Sequence, residues 1–271
     1  MKLTKTNFSH VLPQANLVHG RHPFIVDYCI GKKVLHIGCV DAGLMEERYK
    51  QNALLHQKLD KVATLLYGVD IDRNGISFLQ DKGFENLFFV DISDESQCAV
   101  LYEVEFDVII LSEVIEHLSN PGLMLESVKK LMNKKTALLV SVPNAFSTTN
   151  ILNMLKGIEY VHPDHNYYFS YVCLNNILRK SGLGIKENYV YTFSEYAPFK
   201  SQYGVIKLIY WDLVNKYKSA SGWLQFSKII SGDFLYWLTH LFEIQLVKFL
   251  YSRSGFFGDG LLVICVLQTN E

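Results

Sequence analysis

Short apolar runs that end in a small or acidic residue recur through the first half of the chain. The first is Lys33-Val34-Leu35-His36-Ile37-Gly38; Tyr67-Gly68-Val69-Asp70, Leu87-Phe88-Phe89-Val90-Asp91 and Phe106-Asp107-Val108-Ile109-Ile110-Leu111-Ser112-Glu113 follow. Helical patterns separate these runs, so they predict βαβ units and a parallel sheet. Strands are expected near 33–37, 65–69, 87–90, 106–111 and 136–142, then a helix near 172–182 and strands near 185–193 and 260–267. In segment 44–63 the leucines and Met45 recur at helical spacing, which predicts one or two helices. Ser93 before Asp94 and Glu95, and Asn120 before Pro121, read as helix starts, with a capping side chain ahead of a favourable first turn. Residues 144–170, rich in Asn, Tyr and His, read as a loop or lid. Ligands of an open α/β sheet bind beyond the carboxyl ends of its strands, so the residues that end these runs are the first candidates for a site.

Composition narrows the class. A chain of 271 residues buries a large core in one α/β domain and leaves room for an insertion. A formal net charge of -1, with no cluster of Lys and Arg, gives no electrostatic case for a nucleic-acid partner. The five cysteines, Cys29, Cys39, Cys98, Cys173 and Cys265, are scattered and mostly inside apolar runs. That argues for a reducing cytosol and against both a disulfide framework and a zinc site, and no metal is expected. The first residues lack the apolar core of a signal peptide, and no stretch of about 20 residues is apolar and uncharged. A cytoplasmic protein is expected.

The strand-end pattern, together with Leu111-Ser112-Glu113-Val114-Ile115-Glu116-His117-Leu118, resembles the class I S-adenosylmethionine-dependent methyltransferases over roughly residues 20–195. The resemblance implies a Rossmann-like, seven-stranded, mostly parallel sheet with helices on both faces and the last strand antiparallel. It also implies S-adenosylmethionine as cofactor. The turn Gly38-Cys39-Val40 would lie against it, although His36 stands at the usual acidic position and Val40 where a second glycine is common. Asp70 is placed to accept from ribose hydroxyls and Asp91 from the adenine amine, with Ile71 and Ile92 enclosing the ring. Ser112 and Glu113 would flank the methionine end, and Arg21, in Gly20-Arg21-His22-Pro23-Phe24, would pair with the cofactor carboxylate.

The substrate side is carried by Pro143-Asn144-Ala145-Phe146 and by His162-Pro163-Asp164-His165-Asn166-Tyr167-Tyr168-Phe169-Ser170. Asn144, His162 and Tyr167 are candidate substrate contacts, and Ser170 reads as a helix cap. His165 is a candidate general base, since imidazole titrates near neutral pH; its alternative is a hydrogen-bonding loop histidine. His117 either lies near methyl transfer or holds the loop before the Asn120 cap. The expected activity is methyl transfer to a small-molecule or glycan-like hydroxyl, in one domain spanning 1–271. A noncatalytic S-adenosylmethionine-binding or assembly protein is the rival. A nicotinamide-dependent oxidoreductase is a weaker one, because no G-x-G-x-x-G opens the first turn. Residues 196–257 read as a helical insertion between the last two strands, apolar nearly all round from Phe234 to Tyr251. A cap on the sheet, a homodimer contact or a peripheral membrane contact would cover such a surface.

Overall fold

The computed structural model describes residues 9–155, 157–192 and 254–268. In chain order the elements are β1 (Asn16–His19), α1 (Arg21–Tyr28), β2 (Lys33–Ile37), α2 (Met45–Lys50), α3 (Leu55–Leu59), β3 (Leu65–Asp70), α4 (Arg73–Asp81) and β4 (Leu87–Phe89). Then come β5 (Val108–Ser112), α5 (Pro121–Lys130), β6 (Ala137–Pro143), α6 (Thr148–Leu155), α7 (Tyr171–Lys180), β7 (Leu183–Thr192) and β8 (Gly260–Leu267). One sheet joins the strands in the order β1-β7-β8-β6-β5-β2-β3-β4, and β8 runs antiparallel to both its neighbours.

Alternation along the strands builds an apolar layer on each face of the sheet. Leu138, Val140 and Val142 of β6 pack on one side with Leu35, Ile37, Ile109, Leu111 and the helix residues Leu125, Val128, Leu174 and Leu178. Leu139 turns to the other side with Val34, Val108 and Ile110, under Ile25 of α1 and Cys29 at the end of that helix. The chain leaves β2 in one direction through β3 and β4, then returns to place β5 on the other flank of β2. The carboxyl ends of β2 and β5 therefore part at a topological switch point, where a crevice opens.

Among the described residues the sheet has eight strands where seven were expected. The extra one, β1, pairs parallel with β7 through four residues, Asn16 to His19. Three of those four are exposed, so no alternation of burial marks the strand in the sequence. The helix α1 was likewise not foreseen: it starts after Gly20, at φ +77°, and tolerates Pro23 because a first-turn N–H has no helical partner. Segment 44–63 gives two helices, α2 and α3. Asn120 Oδ1 accepts from the Leu123 amide and Ser170 Oγ from the Cys173 amide, the two caps expected there. The Ser93 cap is corrected: the Asp94 carboxylate accepts from the Ser96 amide and opens only short 3-10 turns, Glu95–Gln97 and Ala99–Leu101. The stretch 144–170 carries a helix, α6, within it. The insertion expected at 196–257 lies outside the described residues except for its end, a 3-10 turn at Gly255–Phe257. Among the described residues no helix is long and apolar enough to cross a membrane.

Candidate active site

The crevice is a cavity of about 570 Å³ at the carboxyl ends of β2, β3, β4 and β5. That volume suits a cofactor or substrate of moderate size. Its walls include Arg21, Gly38, Val40, Asp70, Ile71, Asp91, Ile92, Glu113, His117, His162 and His165. Eleven of the sequence-derived candidates thus line one space, although they come from six separate stretches of chain.

Asp70, the last residue of β3, organises two turns. Its Oδ2 accepts from the Val40 amide at 2.9 Å and its Oδ1 from the Asp72 amide at 2.9 Å. The carboxylate keeps acceptor capacity for a ligand hydroxyl. Burial raises its pKa, and backbone N–H donors, first that of Asp72 and then those of Val40 and Ile71, partly offset the rise. Gly38 has φ +73°, and a Cβ there would stand 2.5 Å from Val114 Cγ2, so both conformation and space demand glycine. The departure at Val40 is accommodated across the turn. A Cβ on Gly75 would lie 2.2 Å from Val40 Cγ1, so the missing side chain on α4 gives the valine its room. Ile92 is buried, whereas Ile71 is 67% exposed at the rim, so only one of the expected ring-enclosing pair forms an interior wall.

Glu113 has φ 56°, a left-handed conformation that costs a non-glycine residue energy and persists only where surroundings fix it. Here they do. Its Oε2 pairs with Arg21 Nη1 at 3.0 Å, and its Oε1 accepts from Ser141 Oγ at 3.0 Å and from the Tyr191 hydroxyl at 2.9 Å. Burial alone would lower the Arg21 pKa; Glu113 and then Tyr191 beside it outweigh that and raise it. Arg21, expected to meet a cofactor carboxylate, is thus held by a carboxylate of its own chain. Two groups read separately from the sequence are each other's partners. Behind them Glu116 is fully buried with both carboxylate oxygens unpartnered, and burial, aided by the charge of Glu113, pushes its pKa up to about 8.

His117, His162 and His165 gather at one end of the cavity. The rings of His117 and His165 lie 4.5 Å apart, those of His162 and His165 5.2 Å, and those of His117 and His162 5.8 Å. Burial lowers the His165 pKa, and the neighbouring imidazoles lower it further. The two segments that carry them are stitched together: the Asn166 and Tyr167 amides donate to the Glu116 carbonyl, and Asn166 Nδ2 donates to the His117 carbonyl.

Four candidates lie elsewhere. Cys39 turns into an apolar cluster with Met45, Leu54, Ile76 and Leu79, and burial raises its thiol pKa. The Ser112 hydroxyl is spent on Ser141 at 2.9 Å. Asn144 is buried and its amide donates to the carbonyls of Phe256 and Gly258, clamping β6 to the approach of β8. The Tyr167 hydroxyl donates to the Ser119 carbonyl while its ring stacks on Phe169. Each is tied into the scaffold and none lines the cavity. Tyr191 and Ser141, conversely, were not singled out; they sit inside apolar strands, where only the folded register brings them to Glu113. His162 and His165 are three residues apart, a spacing visible in the sequence, but nothing local announces His117 as their neighbour.

Residues 31–188 match the family model described as a methyltransferase domain. A ubiquinone biosynthesis O-methyltransferase from Glaesserella parasuis serovar 5 (strain SH0165) is 26% identical over 137 residues. The match takes in 48% of this chain and 53% of the relative, so the chain spans about half the length of that curated protein. Among solved structures, the chain is similar to magnesium protoporphyrin IX methyltransferase from Synechocystis PCC 6803 with bound SAH. Identity is 17%, coverage is 65% of this chain and 77% of that one, and the TM-score is 0.45. A SAM-dependent methyltransferase from Archaeoglobus fulgidus is 15% identical, with 91% and 95% coverage and a TM-score of 0.46.

Proposed function

The chain belongs to the methyltransferase domain family, and from that premise we propose that the methyl group of its S-adenosylmethionine cofactor passes to a hydroxyl of a small-molecule or glycan-like acceptor. One observation carries this reading: strand-end carboxylates suited to a nucleoside and a cluster of imidazoles suited to a hydroxyl share one cavity. The residues fit the cofactor. Asp70 keeps lone pairs for ribose hydroxyls, Asp91 stands at the next strand end, and Ile37, Val69, Val90 and Ile92 give an apolar bed for a base. The cofactor supplies a methyl carbon that its sulfonium sulfur already makes electrophilic.

The work left to the protein is to align the acceptor and exclude water, which in favourable cases supplies about 7–11 kcal/mol. The apolar walls, with Leu118 and Met124 beside them, serve that exclusion. A hydroxyl must also give up its proton as the new bond forms, and the end of the cavity built by His117, His162 and His165 is where it would do so. An oxygen acceptor is supported by the printed activity of the curated relative, an O-methyltransferase. The test is turnover with phenolic and sugar hydroxyl acceptors, read by mass spectrometry as methylated product together with S-adenosylhomocysteine. His165→Ala should lower that turnover by about 10²–10⁴-fold while cofactor affinity stays nearly intact. Methylation at nitrogen or carbon, with hydroxyl acceptors ignored, would overturn the oxygen assignment.

A further inference from the structure

We propose that His117, His162 and His165 form a binding site for one divalent transition-metal ion of the zinc class, set at the acceptor end of the cavity. One nitrogen from each imidazole lies within 4.8 Å of the others. Three ligands on a tetrahedral zinc stand about 3.3 Å apart at the usual Zn–N distance of ~2.0–2.1 Å, so side-chain rotations alone close the gap. Imidazole is a ligand for zinc, copper, iron and nickel, whereas magnesium and calcium take oxygen sets. Scattered cysteines exclude a thiolate site only, and they leave this one untouched.

Three features separate this cluster from a chance meeting of loop histidines. First, His165 Nδ1 is buried and has no hydrogen-bond partner. Buried polar atoms are normally paired, and an ion is one of the standard explanations for one that is not. Second, the frame is already rigid. The loop with His162 and His165 is bound to the segment with His117 by the Asn166 and Tyr167 amides on the Glu116 carbonyl, by Asn166 Nδ2 on the His117 carbonyl and by the Tyr167 hydroxyl on the Ser119 carbonyl. The polar groups that fix ligand positions are thus satisfied while His165 Nδ1 is not. Third, His162 has an outer partner. Its Nδ1 accepts from the Asp164 amide at 3.3 Å and faces the Asp164 carboxylate at 3.9 Å. A turn of that ring gives the carboxylate–imidazole pair that orients a metal-bound histidine.

Three protein ligands leave a fourth position open, the arrangement of catalytic metal sites. The role of the ion rests on the hydroxyl-acceptor reading: in that position it would hold and orient the acceptor oxygen. The site itself does not depend on that reading. Tag-free protein stripped with chelator is titrated with Co²⁺ and followed by its visible absorption, then by displacement with Zn²⁺. The expected result is one Co²⁺ per chain with tetrahedral-type bands, and binding at least about tenfold weaker in His162→Ala and in His165→Ala. The His162 side chain is 56% exposed, so its removal leaves the core intact and a folded variant is available for comparison. Wild-type protein that binds no more Co²⁺ than a variant with all three histidines replaced by alanine would overturn the site. Calorimetry with S-adenosylmethionine on the same wild-type sample separates the two claims. Cofactor binding without metal binding removes the metal site and spares methyl transfer; metal binding without cofactor binding does the reverse.

Discussion

Arg21 and Glu113 bear on stability and on the site together. Each side chain is only 19% exposed, and they meet at 3.0 Å on the cavity wall. Removing one partner of a buried pair strands the other charge and costs about 3–5 kcal/mol. Arg21→Ala and Glu113→Ala should therefore each lower the unfolding free energy by a few kcal/mol, about 3 or less given the partial exposure. The double variant should lose clearly less than the sum, a coupling that a denaturant double-mutant cycle reads directly. Additive losses would mean that the two groups do not act as a pair. The Val40 and Gly75 contact makes a second residue-level prediction. Gly75→Ala inserts a carbon 2.2 Å from Val40 Cγ1 and should destabilise by about 1–3 kcal/mol through overpacking. Val40→Ala in the same chain should recover most of that loss. Asp70, Asp91, Glu113 and the three histidines were legible as residues because strand ends and polar runs stand out. Their partnerships were not, since the Arg21–Glu113 pair and the Tyr191 hydroxyl on Glu113 depend on register between strands far apart in sequence.

At the scale of elements, β2 and α3 meet through two buried histidines whose Nδ1 atoms are 3.3 Å apart, one donating and the other accepting. Burial lowers the His56 pKa to about 4; burial, then His56, holds His36 well below the ordinary value of 6.5. The folded state keeps both neutral. The unfolded chain takes up protons as pH falls below about 6.5, so over that range it binds more protons than the native state. The two imidazoles should therefore make stability rise with pH between about 4 and 6.5 and add nothing further above, against the opposing fall that the raised Glu116 pKa gives between about 4.5 and 8, as linkage requires. Denaturant midpoints measured at pH 5 and at pH 7.5 test this. His56→Gln should flatten the profile, and an unchanged slope in both His56→Gln and His36→Gln would refute the assignment. His36, at the usual acidic position of the resembled pattern, is thereby a packing residue of the sheet and not a cofactor contact. The central strands were legible because buried parallel strands read as apolar runs. β1 was not, because an edge strand with three of four residues exposed carries no such signal.

For the whole molecule, the sheet order puts a switch point between β2 and β5, and among the described residues the cavity opens there. Residues 203–251 carry a sequence pattern that predicts a helical lid or dimer element. Light scattering with and without anionic vesicles checks it, a dimer or vesicle binding supporting an external role and an indifferent monomer leaving a cap on the sheet. The central claim is that the Asp70 cavity holds S-adenosylmethionine. Its most direct measurement is a calorimetric titration of the wild-type chain and of Asp70→Ala with that cofactor. The variant loses the acceptor for the ribose hydroxyls and the anchor of the Val40 and Asp72 amides. The account predicts one site per wild-type chain and an affinity weaker by about 1.5–3 kcal/mol in Asp70→Ala, the range for hydrogen bonds to a charged group. Equal affinity in the two proteins, or no binding by the wild type, would contradict it.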